Sequence, residues 1–256
     1  INHLLKCGFH TIDFGSFVSP KAIPQMKDTA EVLKGLELNS DTKLLAIVAN
    51  LRGAQDALSF SEIDYLGFPF SVSEEFQRRN TNSTISDSLK NLEEIQNLCS
   101  AKNKQLVVYL SMGFGNPYGE EWTPELVAFW SKRLHLDLGV NVLALSDTIG
   151  CAKEDDVSEL FKLLCNELTN ATIGAHFHTR PTNSFPLIKA AYEAGCRRFD
   201  SAIKGFGGCP MAKDDLTGNL PTEDLLHFFN VNKINNPIDL ELFNNAYSYS
   251  SKIFKS

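Results

Sequence analysis

The sequence predicts an α/β fold: a TIM-type (β/α)8 barrel with a C-terminal helical extension. Three observations carry that reading. Apolar, β-prone runs recur at fairly even spacing, amphipathic stretches separate them, and no break in composition divides the 256 residues. Alternation of this kind implies one α/β domain built on a parallel sheet. One strand–helix unit per roughly 30 residues suits a barrel of about 250 residues. The barrel is expected to run to about residue 210 and the helical extension from about 211 to 256. A doubly wound open sheet ranks second. It would normally carry a glycine-rich loop after its first strand, and the chain has neither G-x-G-x-x-G nor a Walker A motif.

The strands are expected at 10–17 (HTIDFGSF), 43–50 (KLLAIVAN), 63–70 (IDYLGFPF), 105–112 (QLVVYLSM), 140–147 (VNVLALSD), 171–178 (ATIGAHFH) and 198–206 (RFDSAIKGF). Most are too continuously apolar for a one-sided sheet and read as strands buried on both faces. Between them, Thr123-Pro124-Glu125 starts a helix with a capping hydroxyl, a proline in the first turn and a carboxylate near the positive dipole end. Leu126, Phe129 and Trp130 then form its apolar stripe, and Gly139 stops it. Residues 184–195 repeat the logic with Phe185, Ile188 and Tyr192, closed by Gly195. Thr222-Glu223-Asp224 begins another helix. Seven strands are visible where a closed barrel of this class has eight. The chain opens Ile1-Asn2-His3-Leu4, without Met, on a short helix-like piece. A first strand upstream of this sequence is the expectation.

Composition narrows the function. Net charge is -7, so a nucleic-acid binder is not expected. No apolar run approaches the roughly 20 residues that span a bilayer, and no targeting segment is visible, so a cytoplasmic location is expected. The six cysteines are widely spaced, with no C-x-x-C pair, and read as free thiols. Five read as small core residues, and Cys209 is the exception. Two N-x-[ST] triplets, at Asn82 and Asn170, read as chance matches.

In a barrel, chemistry collects at the C-terminal ends of the strands. The polar residues there are Asp13, Asn50, Ser111, Asp147, His176, His178, Lys204 and Cys209. The sharpest signal is Ala175-His176-Phe177-His178. Residues i and i+2 on a strand share a face, so both imidazoles can reach one cation while Phe177 faces the helices. The bland alternative is two polar rim residues. Gly205-Phe206-Gly207-Gly208-Cys209-Pro210 places a thiol after a glycine-rich loop, where it can serve as acid or base, or simply fill a tight turn. Asn219 in Thr217-Gly218-Asn219 is a turn former or an oxygen ligand to a hard cation. Asp13 and Asp147 are rim acids or hydrogen-bonded core residues. Lys204, read as a strand residue, is a Schiff-base candidate or an ion-pair partner.

Together these segments resemble the 3-hydroxy-3-methylglutaryl-CoA lyases of the DRE-TIM metallolyase family. The stretches that carry the resemblance are Ser16-Phe17-Val18-Ser19-Pro20-Lys21 with Pro24-Gln25-Met26, Ser146-Asp147-Thr148-Ile149-Gly150, the His176/His178 pair, 205–210, and Gly218-Asn219-Leu220 with Thr222-Glu223-Asp224. They follow the family's order and cover almost the whole chain. The resemblance implies a TIM barrel that cleaves 3-hydroxy-3-methylglutaryl-CoA to acetyl-CoA and acetoacetate with Mg2+ or Mn2+. It implies His176, His178 and Asn219 as metal ligands and Cys209 as the catalytic cysteine. It puts Asp13 at a catalytic glutamate and Asp147 at a functional aspartate. Tyr118, Asp147 and Lys204 are the expected substrate-binding residues, and Asp13 or His176 the proton shuttle. Lys21, Arg52, Arg78 and Arg79 are candidates to meet the anionic CoA, with solvated surface charge as the plainer role. Residues 205–219 are the expected covering loop, and a homodimer is compatible with the reading.

Three departures stand out. The family's first strand, with its Arg-Asp pair, has no counterpart in this sequence. Asp13 is one methylene shorter than the family's glutamate. Thr179 follows His178 where better-known members have Asp. Three other readings follow: a related acyl-CoA lyase or synthase, a metal-free Schiff-base aldolase using Lys204, and a non-catalytic binding barrel.

Overall fold

The computed structural model describes residues 1–180, 183–208 and 217–254. Its elements in chain order are α1 (Asn2–Leu5), β1 (Thr11–Ser16), α2 (Thr29–Lys34), β2 (Lys43–Ile47), α3 (Leu51–Ala57), β3 (Ile63–Ser71), α4 (Glu74–Thr81), α5 (Ile85–Ala101), β4 (Gln105–Ser111), α6 (Pro124–Lys132), β5 (Val142–Asp147), α7 (Glu154–Glu167), β6 (Thr172–Phe177), α8 (Ser184–Glu193), β7 (Arg198–Asp200), α9 (Thr222–Val231) and α10 (Leu240–Ile253). The strands form one parallel sheet in sequence order, β1 to β7. The seven expected strands are all present. The last is much shorter than the 198–206 run, ending at Asp200 before a 3-10 turn at Ile203–Gly205.

The sheet curls. Asp13 on β1 lies within electrostatic reach of Asp200 on β7, although no ladder joins those edges among the described residues. Strand alternation sorts the side chains. Leu44, Ala46, Leu66, Phe68, Val108, Leu143, Ala175 and Phe177 face the helices in the main core. The concave face is lined lower down by Leu45, Val107, Val142 and Ala144, with Ile47, Tyr65 and Tyr109 packed against them. Both faces are covered, which explains the near-continuous apolar runs.

The helix starts and stops operate as expected, but the apolar stripes need correction: in α8 the buried apolar residues are Leu187, Ile188 and Ala191, with Phe185 and Tyr192 half-buried. Thr123 caps α6, its hydroxyl accepting from the Leu126 amide at 3.2 Å. The expected stripe of Leu126, Phe129 and Trp130 is rotated, however. Val127, Ala128 and Ser131 are the buried residues of α6, and Phe129 is 54% exposed. A π-turn at Arg133–Asp137 carries the chain on to Gly139, whose φ of +72° marks the stop. α9 begins at Thr222 and packs against α8, where the Ser184 hydroxyl donates to Asp224 at 2.6 Å. At the far end of the helix ring, α10 packs on α1. Cys7, Leu226, Phe243 and Ala246 form the small core of that corner. The described cysteines are all free; Cys151 is exposed rather than in the core, its sulfur donating to the Phe114 carbonyl at 3.3 Å.

Candidate active site

His176 stands on β6 with Ile173, Ala175 and Phe177 buried on the opposite face, so its imidazole enters the concave side. His178, just beyond the strand end, shares that side, and the two ring centroids are 5.6 Å apart. Phe177 between them is buried against Phe114 and Phe161. His178 is buried and pairs with Asn219 in an isolated antiparallel bridge. Two backbone bonds tie the same region together: Thr179 donates to the Gly218 carbonyl at 2.9 Å, and Leu220 to that of Phe177 at 2.8 Å. The chain thus brings three expected ligand residues, His176, His178 and Asn219, to one end of the sheet.

The glycines beside Asn219 have a steric reason. Gly207 has φ of +98°, and a Cβ there would sit 2.7 Å from Asn219 Nδ2. A Cβ on Gly205 would meet the Asn219 carbonyl oxygen, also at 2.7 Å. Only a glycine turn lets the loop close on this residue. Asn219 Nδ2 donates to the Phe206 carbonyl at 2.8 Å, which turns the amide oxygen away from that bond and keeps it for another partner.

Can these residues hold a divalent cation? His178 Nδ1 is buried with no hydrogen-bond partner among the described residues. Burial, reinforced by the charge of His176, pushes the His178 imidazole down to about 4, so it is neutral at pH 7. A neutral imidazole with an unused buried nitrogen has the properties of a metal ligand. Among the described residues no three His, Cys, Asp or Glu side chains gather into a metal-holding group. The candidate set is therefore two imidazoles and an amide oxygen, a set that fits a cation with open positions.

Acidic groups surround the pair. His176 Nδ1 faces Asp200 Oδ2 at 3.3 Å, and Asp200 Oδ1 meets Arg198 Nη2 at 3.4 Å. Burial alone would raise the Asp200 carboxyl. The His176 hydrogen bond and the Arg198 charge outweigh it and hold the group below its ordinary value. Asp13 faces the same hollow. Its crowded surroundings, then the charge of Asp200, push its carboxyl up to about 7, against the pull of His176. Its own surface is open to water in the hollow, which tempers that push.

Other expected residues are placed differently. Both Asp147 oxygens are taken by loop backbone, Oδ1 by the Cys151 amide and Oδ2 by that of Ala152, each at 2.9 Å. It is buried and braces the loop after β5. Asn50 is the N-cap of α3, accepting from Gly53 at 2.9 Å. Tyr118 lies on the loop after β4 with the Arg79 guanidinium 4.9 Å from its ring centre. Lys204 is not a strand residue. It sits in the 3-10 turn with φ of +57°, its ammonium bonded to the Ser251 hydroxyl and 4.7 Å over the Tyr247 ring. The strand placement on which the Schiff-base reading rests is therefore not observed. Arg78 and Arg79 pair with Glu74 and Glu75 on α4, while Lys21 and Arg52 make no ion pair among the described residues. Cys209 lies outside the described residues, as does most of the expected covering loop.

Sequence reasoning missed Arg198, Asp200 and Tyr109. The signal was available: in Arg198-Phe199-Asp200 two charged residues flank an apolar one with strand spacing. Tyr109 is the polar-tipped residue inside the apolar run 106–110.

A family model described as HMGL-like matches residues 1–248. A hydroxymethylglutaryl-CoA lyase of Pseudomonas mevalonii is 33% identical over 94% of this chain and 79% of its own length. A cytoplasmic 3-hydroxy-3-methylglutaryl-CoA lyase of mouse is 32% identical over 94% of this chain and 69% of its own length. Among solved structures, an HMG-CoA lyase from Bacillus subtilis superposes with a TM-score of 0.91 at 31% identity, covering 98% of this chain and 83% of that one. An HMG-CoA lyase from Acinetobacter baumannii, in complex with coenzyme A and 3-methylmalate, does so with a TM-score of 0.89 at 31% identity, covering 98% and 81%. The carboxyl transferase domain of Rhizobium etli pyruvate carboxylase shares the fold at a TM-score of 0.68 and 14% identity, covering 96% of this chain and 41% of that one.

Proposed function

Because the chain belongs to the HMGL-like family, we propose that it is a carbon–carbon lyase cleaving 3-hydroxy-3-methylglutaryl-CoA to acetyl-CoA and acetoacetate. The observation that carries the reading is the convergence of His176, His178 and Asn219 at one end of the sheet. Similarity to lyases over 94% of the chain supports the same substrate class, an acyl-CoA thioester.

His176, His178 and Asn219 would hold Mg2+ or Mn2+. When bound, the cation supplies Lewis acidity toward oxygens of the substrate. The residues of the chain do the rest. Asp13, with its carboxyl pushed toward neutrality, is suited to accept the proton of the tertiary hydroxyl. His176 is less suited, because its Nδ1 is committed to Asp200. As that proton leaves, the bond between the tertiary carbon and the thioester α-carbon breaks. The hydroxyl carbon becomes the ketone of acetoacetate, and the electron pair stays on the α-carbon. Cys209 donates the proton that completes acetyl-CoA, a role proposed from its place after the glycine-rich loop. Asp147 contributes by fixing the loop after β5.

The reading is tested with purified protein and 3-hydroxy-3-methylglutaryl-CoA in Mg2+. Cys209→Ser should lower kcat by about 10^2- to 10^4-fold, the range of a general acid, with little change in KM. Full turnover in that variant would remove the thiol from the mechanism. Asp13→Asn should lower kcat comparably, and retained activity would move the proton acceptor elsewhere.

A further inference from the structure

In the β6–β7 ladder Gly174 lies opposite Arg198 and His176 opposite Asp200. Strand alternation puts all four on the concave side, since Ala175 and Phe177 are buried on the other. Arg198 therefore lies one layer below His176. Its stem crosses Gly174, where a Cβ would come within 3.0 Å of Arg198 Cδ. The side chain is only 17% exposed, and Nε is buried without a hydrogen-bond partner among the described residues. Among the described residues each Asp200 oxygen meets one of these groups: Oδ1 lies 3.4 Å from Arg198 Nη2 and Oδ2 lies 3.3 Å from His176 Nδ1. Tyr109 packs edge-on against His176, ring centroids 5.1 Å apart, and its phenol interacts with the guanidinium.

An arginine–carboxylate pair largely withdrawn from water is a poor source of stability, because desolvation offsets much of the attraction and apolar residues of similar volume do as well. The concave face is otherwise lined here by Leu45, Val107, Val142 and Ala144, so such residues would fit. Orientation gives the pair a purpose. An ionised carboxylate only accepts hydrogen bonds, so the His176 nitrogen facing Asp200 must be Nδ1–H. The lone pair then resides on Nε2.

We infer that Arg198 is a positioning residue that acts on His176 through Asp200. It aims the carboxylate that sets the imidazole's tautomer and orientation, and so determines how Nε2 is presented. The effect on turnover rests on the lyase reading; the effect on the imidazole does not.

The test is a double-variant cycle on the intact protein, with Mn2+ alone as the binding probe. Arg198→Met and Asp200→Asn should each weaken Mn2+ binding about 10- to 100-fold. In the metal-free protein at fixed pH, each should lower the Nδ1–H fraction of His176, read from imidazole 15N shifts. The double variant should fall no further than Asp200→Asn alone, and Arg198→Lys should recover part of the loss. Additive losses, or parent-like 15N shifts in Arg198→Met, would overturn the inference. If Arg198→Met does not fold, Arg198→Gln replaces it under the same criteria. Failure of the lyase reading would look different: the parent would show the Nδ1–H form of His176 yet leave the acyl-CoA intact.

Discussion

His178 shows most directly how one side chain couples the candidate site to stability. It is 5% exposed, and its imidazole is held down to about 4, chiefly by burial. In the unfolded chain the same residue protonates near 6.5. Between those values the unfolded state binds more protons than the folded one. Stability is therefore full above pH 6.5 and is lost as pH falls toward 4. Urea unfolding of chelator-treated protein should show the midpoint dropping across that window, with a shallower drop in His178→Gln. Equal slopes would mean that His178 does not bear the penalty. At this scale the sequence was legible where the signal was a short pattern. The i, i+2 spacing of His176 and His178 is such a pattern, and the structure places both on the concave side. Asp147 was harder to read, because a strand-end carboxylate looks the same whether it faces a ligand or caps a loop. Only the Cys151 and Ala152 amides distinguish the two.

Periodicity marks the elements, and the structure departs from expectation where periodicity is weak. The seven strands are where β-prone runs predict them, because a sheet covered on both faces needs apolar residues throughout. The last run misled. Residues 198–206 look like one strand, but the backbone leaves the sheet after Asp200, and Lys204 adopts a positive φ in a turn. Positive φ in a non-glycine residue leaves little trace in a sequence. The α6 stripe was misplaced because Leu126, Phe129 and Trp130 are more apolar than the small residues that actually face the sheet.

Two tests belong to the elements. Phe177→Ala removes a side chain 1% exposed from between strand and helices, and should cost about 3–5 kcal/mol in chemical denaturation. A loss under about 1 kcal/mol would contradict its core assignment. Gly207→Ala places a Cβ at positive φ, 2.7 Å from Asn219 Nδ2. It should cost about 1–2 kcal/mol of stability. It should also weaken Mn2+ binding by displacing the Asn219 amide. Unchanged Mn2+ affinity would separate that amide from the cation site.

The whole molecule is a curled parallel sheet whose edge strands β1 and β7 are unpaired to each other among the described residues. The helix layer bridges the same side. α10 packs on α1, Asp239 donates its amide to the Cys7 carbonyl at 2.8 Å, and His3 stacks on Tyr249 at 4.9 Å. This closure brings Asp13 from the first strand toward Asp200 on the last, so the charged cluster depends on the curl rather than on any local motif. Arg198-Phe199-Asp200 shows its strand spacing in the sequence, but the approach of Asp13 to Asp200 follows only from the curl. No helix among the described residues is long and apolar enough to cross a membrane. Under the proposed lyase reading, a divalent cation held by His176, His178 and Asn219 would lie where an acyl-CoA carbon–carbon bond is broken. The direct measurement is product analysis with 3-hydroxy-3-methylglutaryl-CoA in Mg2+, after chelation, and after metal is restored. Acetoacetate and acetyl-CoA are expected in equal amounts, lost on chelation and recovered on restoration, with no product in His176→Ala or His178→Ala. Cleavage that survives chelation, or persists in both histidine variants, would contradict that reading.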